Sequence, residues 1–305
     1  MTLDAFPLRD TPCALTIVVT ACREAATVGR AIAALLAQPL PVSYELLVVC
    51  PDAETAAAAT ATGCAGLRVL HDEGRGKPAA LNLALQEARG EIVVLTDGDV
   101  WVAPGAVTCL LAAFDDPRVG IATGRPVSLS PRTTMLGYWS HLLTEAGAHR
   151  ERLRRDAQDG FLVCSGYLYA LRRALWRPLP EEALAEDAVV SGEVWEQGYL
   201  TRYVPAAQVY VRYPATYRDW VAQKVRSTGG YVQPFTATAT QMRSLRREVL
   251  SGFWAALTYP RSPREFIWTL ALFAARLHVW TRILLDVRLR RRSRQDLWSR
   301  IETTK

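Results

Sequence analysis

Residues 14–125 alternate between short apolar runs and stretches whose apolar residues recur at helical spacing. Unbroken apolar runs are typical of strands that are buried on both faces of a parallel sheet, and here they occupy residues 15–20, 45–49, 67–70 and 92–95. Helical stretches lie between them, at residues 27–36, 55–61 and 79–87. This order predicts a Rossmann-like α/β fold, with a mostly parallel sheet flanked by helices.

Residues 104–232 follow a less regular pattern. Helices are predicted near residues 104–114, 133–155, 186–195 and 217–226, and strands near 118–123, 161–171, 202–204 and 209–211. Beyond residue 232 the chain becomes apolar and aromatic, and then strongly basic. We therefore expect one α/β domain over residues 1–232, in halves of about 14–125 and 126–232, and a helical C-terminal extension over 233–305.

Two acidic residues follow the fourth predicted strand directly, in the sequence Asp97-Gly98-Asp99. We expect the glycine to turn the backbone sharply, so that both carboxylates gather at the carboxyl end of the strand, where open α/β sheets bind ligands. Neighbouring carboxylates repel each other unless a cation lies between them, and Mg²⁺ or Mn²⁺ is the natural candidate. The alternative is an ordinary Asp-Gly turn.

Polar residues near other predicted element ends extend this candidate site. Arg75 and Lys77 lie in a glycine-rich loop before the helix at 79–87, where positive charge and backbone N–H groups favour a diphosphate. Asp52 follows the second strand and is a candidate ligand for the base or ribose of a nucleotide, or simply the N-cap of the next helix. Glu24 has the same two interpretations, and the basic loop alone is typical of a solvated surface.

Composition narrows the class of protein. Half of the 305 residues are apolar and 22% are charged, which is typical of a globular chain with a large core. The six cysteines are scattered, which predicts reduced thiols in a cytoplasmic protein and neither a zinc site nor a disulfide framework. The N-terminal residues show no signal peptide pattern.

Four segments of the chain form an ordered set of motifs: Thr20-Ala21-Cys22-Arg23-Glu24, Gly76 to Leu85, Asp97-Gly98-Asp99, and Glu186-Asp187 followed by Gln223 to Arg226. In this order they resemble the inverting, nucleotide-sugar-dependent glycosyltransferases of family 2, which have the GT-A fold and a Gly-Lys-x-x-Ala-Leu-Asn segment similar to the second motif. Arg23 stands where the family usually has asparagine, and Ser227 stands where the Gln-x-x-Arg-Trp motif of polysaccharide synthases has tryptophan.

The resemblance covers residues 14–232 and implies transfer of a sugar from a nucleotide diphosphate to a hydroxyl of a glycan or lipid-linked acceptor. It implies that Asp99 binds the metal most directly and that Asp97 also faces the nucleotide. The predicted donor-binding residues are Thr20, Glu24, Asp52, Arg75, Lys77, Asp97, Gln223 and Arg226.

An inverting transfer needs one base, which takes the proton of the acceptor hydroxyl as it attacks the anomeric carbon. We predict that Asp187 is this base and that the like charge of Glu186 favours proton uptake by its neighbour. The alternative is that both acids only complement a helix dipole. Gln223 and Arg226 fall on one helical face, where they would hold the diphosphate, line the acceptor channel or form a surface pair.

The C-terminal extension raises the question of a membrane. Residues 266–287 are long enough to cross a bilayer, but Arg276, His278 and Arg282 are costly in hydrocarbon. We therefore predict a helix that lies on a membrane or packs on the catalytic domain, with the five arginines of 288–294 near anionic headgroups of the cytoplasmic face. The alternative is an ordinary amphipathic helix with a solvated basic tail.

Two other functions compete with this interpretation. A nucleotidyltransferase uses a similar sheet and metal, but usually has a glycine-rich loop after the first strand, which residues 20–24 lack. A basic lipid- or nucleic-acid-binding module would depend on the arginine run alone, without a recognition motif, so we expect no nucleic-acid partner. The sequence leaves open the sugar, the nucleotide, the acceptor, processivity and the oligomeric state.

Overall fold

Strands and helices follow the predicted alternation through the first half of the chain. The structure, a computed structural model, describes residues 14–40, 43–233, 236 and 253–285. The strands are β1 Leu15–Thr20, β2 Tyr44–Cys50, β3 Leu67–His71, β4 Ile92–Asp97, β5 Trp101–Val102, β6 Val119–Ser128, β7 Leu168–Arg172 and β8 Leu200–Val211. The α-helices are α1 Val28–Leu36, α2 Ala53–Thr60, α3 Lys77–Glu87, α4 Ala106–Ala112, α5 Met135–His141, α6 Arg150–Asp156, α7 Glu186–Glu196, α8 Tyr217–Gly229, α9 Phe253–Leu257 and α10 Pro263–Ile283.

The described strands form one mixed sheet in the order β3-β2-β1-β4-β7-β6-β8-β5. Strands β3, β2, β1 and β4 are parallel to one another, and β6 is parallel to β8. Strand β7 lies antiparallel between β4 and β6, and β5 is antiparallel to β8. The predicted α/β fold is confirmed, and its parallel half brings the carboxyl ends of β1 and β4 together.

Four predictions of strands after residue 117 were wrong in extent. The strand expected at 118–123 is β6, which continues to Ser128. The strand expected at 161–171 is present only as β7, because residues 161–165 have no regular secondary structure and a turn follows at Gly166 and Tyr167. The two short strands expected at 202–204 and 209–211 are one continuous strand, since β8 follows β6 through a register shift near Gly124. Strand β5 was not predicted, because two residues are too few for an apolar pattern.

The helix predicted at 133–155 is continuous, but its middle is wound differently. A π-helical segment, Leu142–His149, joins α5 to α6. The apolar spacing could not distinguish this winding from a regular α-helix. Because π-helical turns occur frequently at functional sites, this segment is a candidate part of such a site.

The sheet separates two hydrophobic clusters, since successive side chains of a strand point to opposite faces. Ile17 belongs to the cluster under α1, α2 and α4, whereas Val18 belongs to the cluster under α3 and α7. A third cluster joins α5, α8 and α10 around the buried rings of Trp139 and Trp220. Helix α10 is therefore packed against the rest of the structure along one side.

The structure tests the prediction about the membrane only in part. In the described part of the chain no helix is long and apolar enough to cross a bilayer. The N-terminal end of α10 is fixed by Arg132, whose Nε lies 2.7 Å from Oε1 of Glu265.

Five cysteines among the described residues are free thiols, while Cys13 and the arginines of 288–294 lie outside the described residues.

Candidate active site

The carboxyl ends of β1 and β4 lie side by side, with Thr20 opposite Asp97 in the parallel register. Both strands are largely apolar up to this point, so their polar side chains emerge together at one edge of the sheet. The hydroxyl of Thr20 donates to Oδ1 of Asp97 over 3.0 Å. This bond orients the Asp97 carboxylate, which lines the largest cavity described below.

Gly98 is required by close packing. The expected turn after β4 is present at Gly98 and Asp99, and the φ of Gly98 lies outside the left-handed region, so its backbone conformation alone does not require glycine. A Cβ at this position would lie 2.7 Å from Oε2 of Glu24 and 2.8 Å from the Cβ of Ala21. Only glycine therefore lets the turn after β4 approach the end of β1, and the same contact places Glu24 beside the two acids.

Lys77 connects acidic residues from distant parts of the chain. It is the first residue of α3, after Gly76, whose φ of 104° favours glycine. Its Nζ lies 2.6 Å from Oδ1 of Asp97 and 3.2 Å from Oε1 of Glu186. It also donates to the carbonyl oxygen of Gly166 over 3.1 Å. These contacts match the three N–H groups of an ammonium, so one cation joins β4, α7 and the loop before β7.

The charges of this cluster stabilise one another. Burial alone lowers the pKa of Lys77, but Asp97 and Glu186 raise it above its ordinary value. Burial alone raises the pKa of Glu186, but Lys77 and then Arg226 lower it below its ordinary value. Lys77 and Glu186 therefore remain charged at neutral pH. Because Lys77 compensates Glu186, the effect of Glu186 on Asp187 stays a prediction.

Asp187 lies in the first turn of α7, next to this cluster. Its Oδ1 accepts a hydrogen bond from the backbone N–H of Ala188 over 2.9 Å. A Cβ placed on Gly166 would lie 3.7 Å from Oδ2 of Asp187. The same Cβ would lie 3.6 Å from Oε1 of Glu186 and 3.7 Å from Nζ of Lys77. Because Gly166 has no side chain, the space in front of these three groups stays open.

Tyr167 is a site residue that sequence reasoning missed. Its pKa is raised first by burial and then by the charges of Asp99 and Asp97, whereas Arg226 lowers it and Asp187 raises it further. Tyr167 lines the same cavity as Asp97, Asp187 and Arg226, so the first acid after β4 and the predicted base border one space. Its only signal in the sequence is its position directly after Cys164-Ser165-Gly166, where a glycine interrupts the predicted strand at 161–171.

One cavity of about 980 Å³ contains this cluster. The polar part of its wall includes Lys77, Asp97, Glu186, Asp187, Gln223 and Arg226. Apolar side chains from the π-helical segment, α9 and α10 form another part of the wall: Leu142, Leu143, Phe253, Leu272, Phe273 and Leu277. The cavity is therefore suited to a ligand with both charged and apolar parts.

Gln223 and Arg226 lie on α8 and both line this cavity, as their spacing predicts. Gln223 is 8% exposed, and its Oε1 is buried without a hydrogen-bond donor among the described residues. Arg226 is half-buried and has no ion-pair partner in the ranges that the structure describes. An unsatisfied acceptor and a cation without an ion pair favour a ligand that brings donors and negative charge.

Asp52 is the N-cap of α2, which is the structural alternative considered above. Its Oδ1 accepts from the backbone N–H of Thr55 over 2.9 Å, and its Oδ2 accepts from that of Arg23 over 2.6 Å. Arg23 has a φ of 52°, in the left-handed region where asparagine is far commoner than arginine. The cap thus holds the turn after β1, while contacts of Asp52 and Glu24 with a nucleotide stay predictions.

Arg75 is not brought to the cluster. Its side chain is 52% exposed and pairs with Glu73 over 2.9 Å and with Glu181. It is also absent from the wall of the cavity. Lys77 is therefore the residue of this loop that reaches the site, and a donor contact by Arg75 would require its surface ion pairs to break.

The acids after β4 are compatible with a divalent cation. Within the described residues, no group of three or more His, Cys, Asp or Glu side chains is arranged to hold a metal. Mg²⁺, however, is usually held by one or two carboxylates together with phosphates of the substrate. Asp97 is oriented by Thr20 and Lys77 and lines the cavity, whereas Asp99 is not among the residues of its wall, so metal binding by these two acids stays a prediction.

Comparison with known proteins agrees with this geometry. The sequence profile described as "Glycosyltransferase like family 2" matches residues 12–230. The chain therefore belongs to glycosyltransferase family 2, as its four motifs predicted, and the match favours this family over the two alternatives.

Curated relatives are longer than this chain. A probable glycosyltransferase of Bacillus subtilis (strain 168), YdaM, is 26% identical over 192 residues, which are 61% of this chain and 46% of the relative. An N-acetylglucosaminyltransferase of Sinorhizobium fredii is 25% identical over 170 residues, which are 52% of this chain and 41% of the relative. The chain thus spans less than half the length of these relatives.

Solved structures show the same fold. A mannosyltransferase from Pyrobaculum calidifontis, in complex with GDP-Man and Mn²⁺, has a TM-score of 0.59 at 22% identity, over 93% of this chain and 85% of the other. TarS of S. aureus, in complex with UDP-GlcNAc, has a TM-score of 0.52 at 16% identity, over 90% of this chain and 85% of the other. The prediction of a GT-A fold is confirmed.

Proposed function

We propose that this chain transfers a sugar from a nucleotide-diphosphate donor to a hydroxyl of a glycan or lipid-linked acceptor, with inversion at the anomeric carbon. The observation that carries the proposal is the meeting of Lys77, Asp97, Glu186 and Asp187 around Gly166, at the wall of one cavity. This arrangement offers anion-binding groups and a proton acceptor to one reacting pair of molecules.

On the donor side, Arg226 binds the diphosphate, because it lines the cavity near Glu186 and forms no ion pair within the described ranges. The amide of Gln223 adds a polar contact from the same helix. Thr20 and Asp97 hold the nucleotide side of the donor at the ends of β1 and β4. Lys77 positions Asp97 and Glu186, and it reaches the diphosphate only by exchanging one of its three acceptors for a phosphate oxygen.

We include a divalent cation, Mg²⁺ or Mn²⁺, in the proposal, with Asp99 as its direct ligand and Asp97 beside it. When bound, such an ion neutralises the negative charge of the leaving diphosphate. The mannosyltransferase of the same fold, whose structure is a complex with GDP-Man and Mn²⁺, supports the choice of a metal and a nucleotide sugar. The contribution of this chain is to hold the Asp97 carboxylate through Thr20 and Lys77.

Asp187 acts as the general base. The backbone N–H of Ala188 holds its Oδ1, and its Oδ2 faces the open space at Gly166. The Asp187 carboxylate takes the proton of the acceptor hydroxyl while that oxygen forms a bond to the anomeric carbon. The bond from this carbon to the diphosphate breaks on the opposite face, so the configuration inverts and the nucleoside diphosphate leaves.

A screen of nucleotide sugars tests this proposal. Differential scanning fluorimetry with UDP- and GDP-linked sugars, each with and without Mn²⁺, should identify one donor class that raises the melting temperature. Release of nucleoside diphosphate from that donor should need the metal and be lost on chelation. Full activity after exhaustive chelation would contradict the roles of Asp97 and Asp99, and failure of every donor to bind would contradict the function.

We also propose peripheral contact with an anionic membrane through the outer face of α10. Phe266, Ile267 and Leu270 are exposed on this helix, at 45%, 63% and 49%. The arginines at 288–294, outside the described residues, complement anionic headgroups in charge. An apolar helix face followed by a basic run favours a bilayer surface, and the apolar part of the cavity wall supports a lipid-linked acceptor.

Vesicle flotation with phosphatidylglycerol liposomes tests the membrane contact. The intact chain should float with the vesicles at low salt, and Ile267→Gln with Leu270→Gln should reduce this fraction severalfold. Leu129→Gln with Leu153→Gln removes two exposed leucines that lie outside α10, and it should float like the wild type. Wild-type protein that stays in the soluble fraction would decide against a membrane position.

A further inference from the structure

A second pocket, of about 430 Å³, lies beside the active-site cavity, and its wall is rich in positive charge. Arg125 of β6, His149 and Arg150 at the junction of the π-helical segment with α6, and Arg261 before α10 line it. Glu145 is the acidic residue of the wall. Three guanidinium groups around one pocket repel one another without a counter-ion, so the composition of the wall favours an anion.

Glu145 can compensate only one of these three positive charges, and its carboxylate oxygens contact other groups. Its Oε2 accepts a hydrogen bond from the hydroxyl of Tyr259 over 2.6 Å, and its Oε1 lies 3.5 Å from Nδ1 of His141. The Nε of Arg125 is buried and has no hydrogen-bond acceptor within the described part of the chain. A buried donor of this kind is costly unless a ligand satisfies it.

The surroundings of His149 reflect the same excess of positive charge. Its pKa is lowered first by burial and then by Arg125, and Arg152 and Arg150 lower it further, while only Glu145 among the named neighbours opposes them. His149 is therefore neutral at pH 7, and an anion bound nearby would restore part of its basicity.

The pocket is separate from the donor site but adjacent to the cavity. Ala146 and Arg150 line both spaces, so the C-terminal part of the π-helical segment forms the wall between them. Lys77 and Asp97 line only the larger cavity. A diphosphate held at Asp97 therefore does not account for the second pocket, whereas a long acceptor with its hydroxyl at Asp187 has the π-helical segment within its reach.

We propose that this pocket binds a phosphate or carboxylate group of the acceptor, away from the hydroxyl that receives the sugar. The identity of the ligand as acceptor rests on the proposed function, but the preference of the pocket for an anion does not. The guanidinium groups of Arg125 and Arg261 offer paired N–H donors that match two oxygens of such a group. A neutral glycan would leave these charges uncompensated.

The first experiment measures binding of inorganic phosphate to the full chain by ³¹P NMR titration at constant ionic strength. Arg125→Gln with Arg261→Gln should weaken binding at least tenfold. Arg177→Gln with Arg218→Gln changes the net charge equally at two exposed arginines outside the pocket and should leave the affinity within twofold. The single variant Arg261→Gln, at an exposed position, should show a partial loss and guards against misfolding of the double variant.

Absence of saturable binding by the wild type, or equal affinity in the Arg125/Arg261 variant, would mean an adventitious ion only and would overturn the site. No turnover is needed for this measurement, so its result is independent of the proposed transferase activity.

The second experiment distinguishes an anion of the acceptor from a free anion. Once a donor is known, phosphate should compete with an acidic acceptor and raise its KM, and the Arg125/Arg261 variant should raise that KM at least tenfold. Hydrolysis of the donor by water should not change in either case. If phosphate alters donor hydrolysis instead, or if the variant leaves the acceptor KM unchanged, the assignment to the acceptor is overturned.

Discussion

The ammonium of Lys77 lies 2.6 Å from the carboxylate of Asp97, so the start of α3 is bonded to the end of β4. A cation at a helix N-terminus opposes the helix dipole and is unfavourable on its own. Here Asp97 and Glu186 more than compensate that cost, and they raise the pKa of Lys77 in spite of its burial. The site is therefore organised by one positive charge that holds acids from both halves of the fold.

Lys77→Met should leave two neighbouring carboxylates without a counter-ion and destabilise the fold by ~3 kcal/mol at pH 7. The pKa of Glu186 is lower in the folded state than its ordinary value of about 4.5. Its ion pair therefore adds to the free energy of unfolding above pH ~4.5, and this contribution is lost as the pH falls through the folded-state pKa. The difference from wild type should therefore shrink below pH ~4.5. Chemical denaturation at several pH values measures this.

Arg75→Met is the matched control for Lys77→Met, because it removes a positive charge from the same loop. Arg75 is 52% exposed and its ion pairs with Glu73 and Glu181 lie at the surface, so the change should be below ~1 kcal/mol. Equal destabilisation by the two variants would refute the special role of Lys77.

Gly166→Ala should reduce transfer while the fold remains intact. The new methyl group would make ordinary contacts of 3.6–3.7 Å with the charged atoms of Lys77, Glu186 and Asp187, so no clash is expected. It would, however, occupy the space in front of the base, and we expect kcat/KM for the acceptor to fall by at least tenfold. Gly29→Ala in α1, whose Cβ would have its nearest neighbour at 3.9 Å, serves as a control that keeps full activity.

Arg23→Asn should stabilise the fold by about 0.5–1 kcal/mol, because asparagine tolerates the left-handed backbone at this position better than arginine. The backbone N–H of residue 23 would still donate to Asp52. Arg23→Ala has no such preference and should give no gain. A melting-temperature series of the three proteins tests this, and an equal gain from alanine would point to a side-chain cause instead.

Glu193 on α7 should make stability depend on pH near neutrality. Burial, and then the charge of Glu196, raise its pKa to about 7, while Arg177 opposes the shift. The folded state thus holds the proton more tightly than the unfolded state, so stability falls as pH rises from ~4.5 to ~7. Glu193→Gln should remove this loss, so its free energy of unfolding should exceed that of wild type by about 1–3 kcal/mol above pH 7 and equal it below pH ~4.5. Exposed Glu54→Gln should show no such pH dependence.

The first half of the fold was predictable from the sequence because each buried parallel strand is an unbroken apolar run. The prediction for β1 has the same bounds as the structure, and the predicted ends of β2, β3 and β4 differ from the observed ones by at most two residues. Strand β8 was predicted as two short strands because Pro205 and two alanines interrupt its apolar pattern. Its continuity depends on pairing with β6, a distant segment whose position the local pattern does not show. The π-helical segment was missed because its residues also fit α-helical spacing.

The candidate site was only partly accessible from the motifs. They indicated Asp97, Glu186 and Lys77, but not that Lys77 joins the other two, since that bond depends on how α3, β4 and α7 meet. The packing reason for Gly98 was also hidden, because the atoms that exclude a Cβ come from Glu24 and Ala21. Spacing placed Arg75 and Lys77 in one loop but could not decide which of them faces the cavity.

The central claim is that Asp187 removes the acceptor proton at a site that binds the donor without its help. The most direct test measures transfer rate and donor affinity of Asp187→Asn side by side, with exposed Asp115→Asn as the control. Loss of a general base lowers the rate by about 10²–10⁴-fold, and we expect this loss with donor Kd within about threefold of wild type. Turnover within a few-fold of wild type would contradict the account.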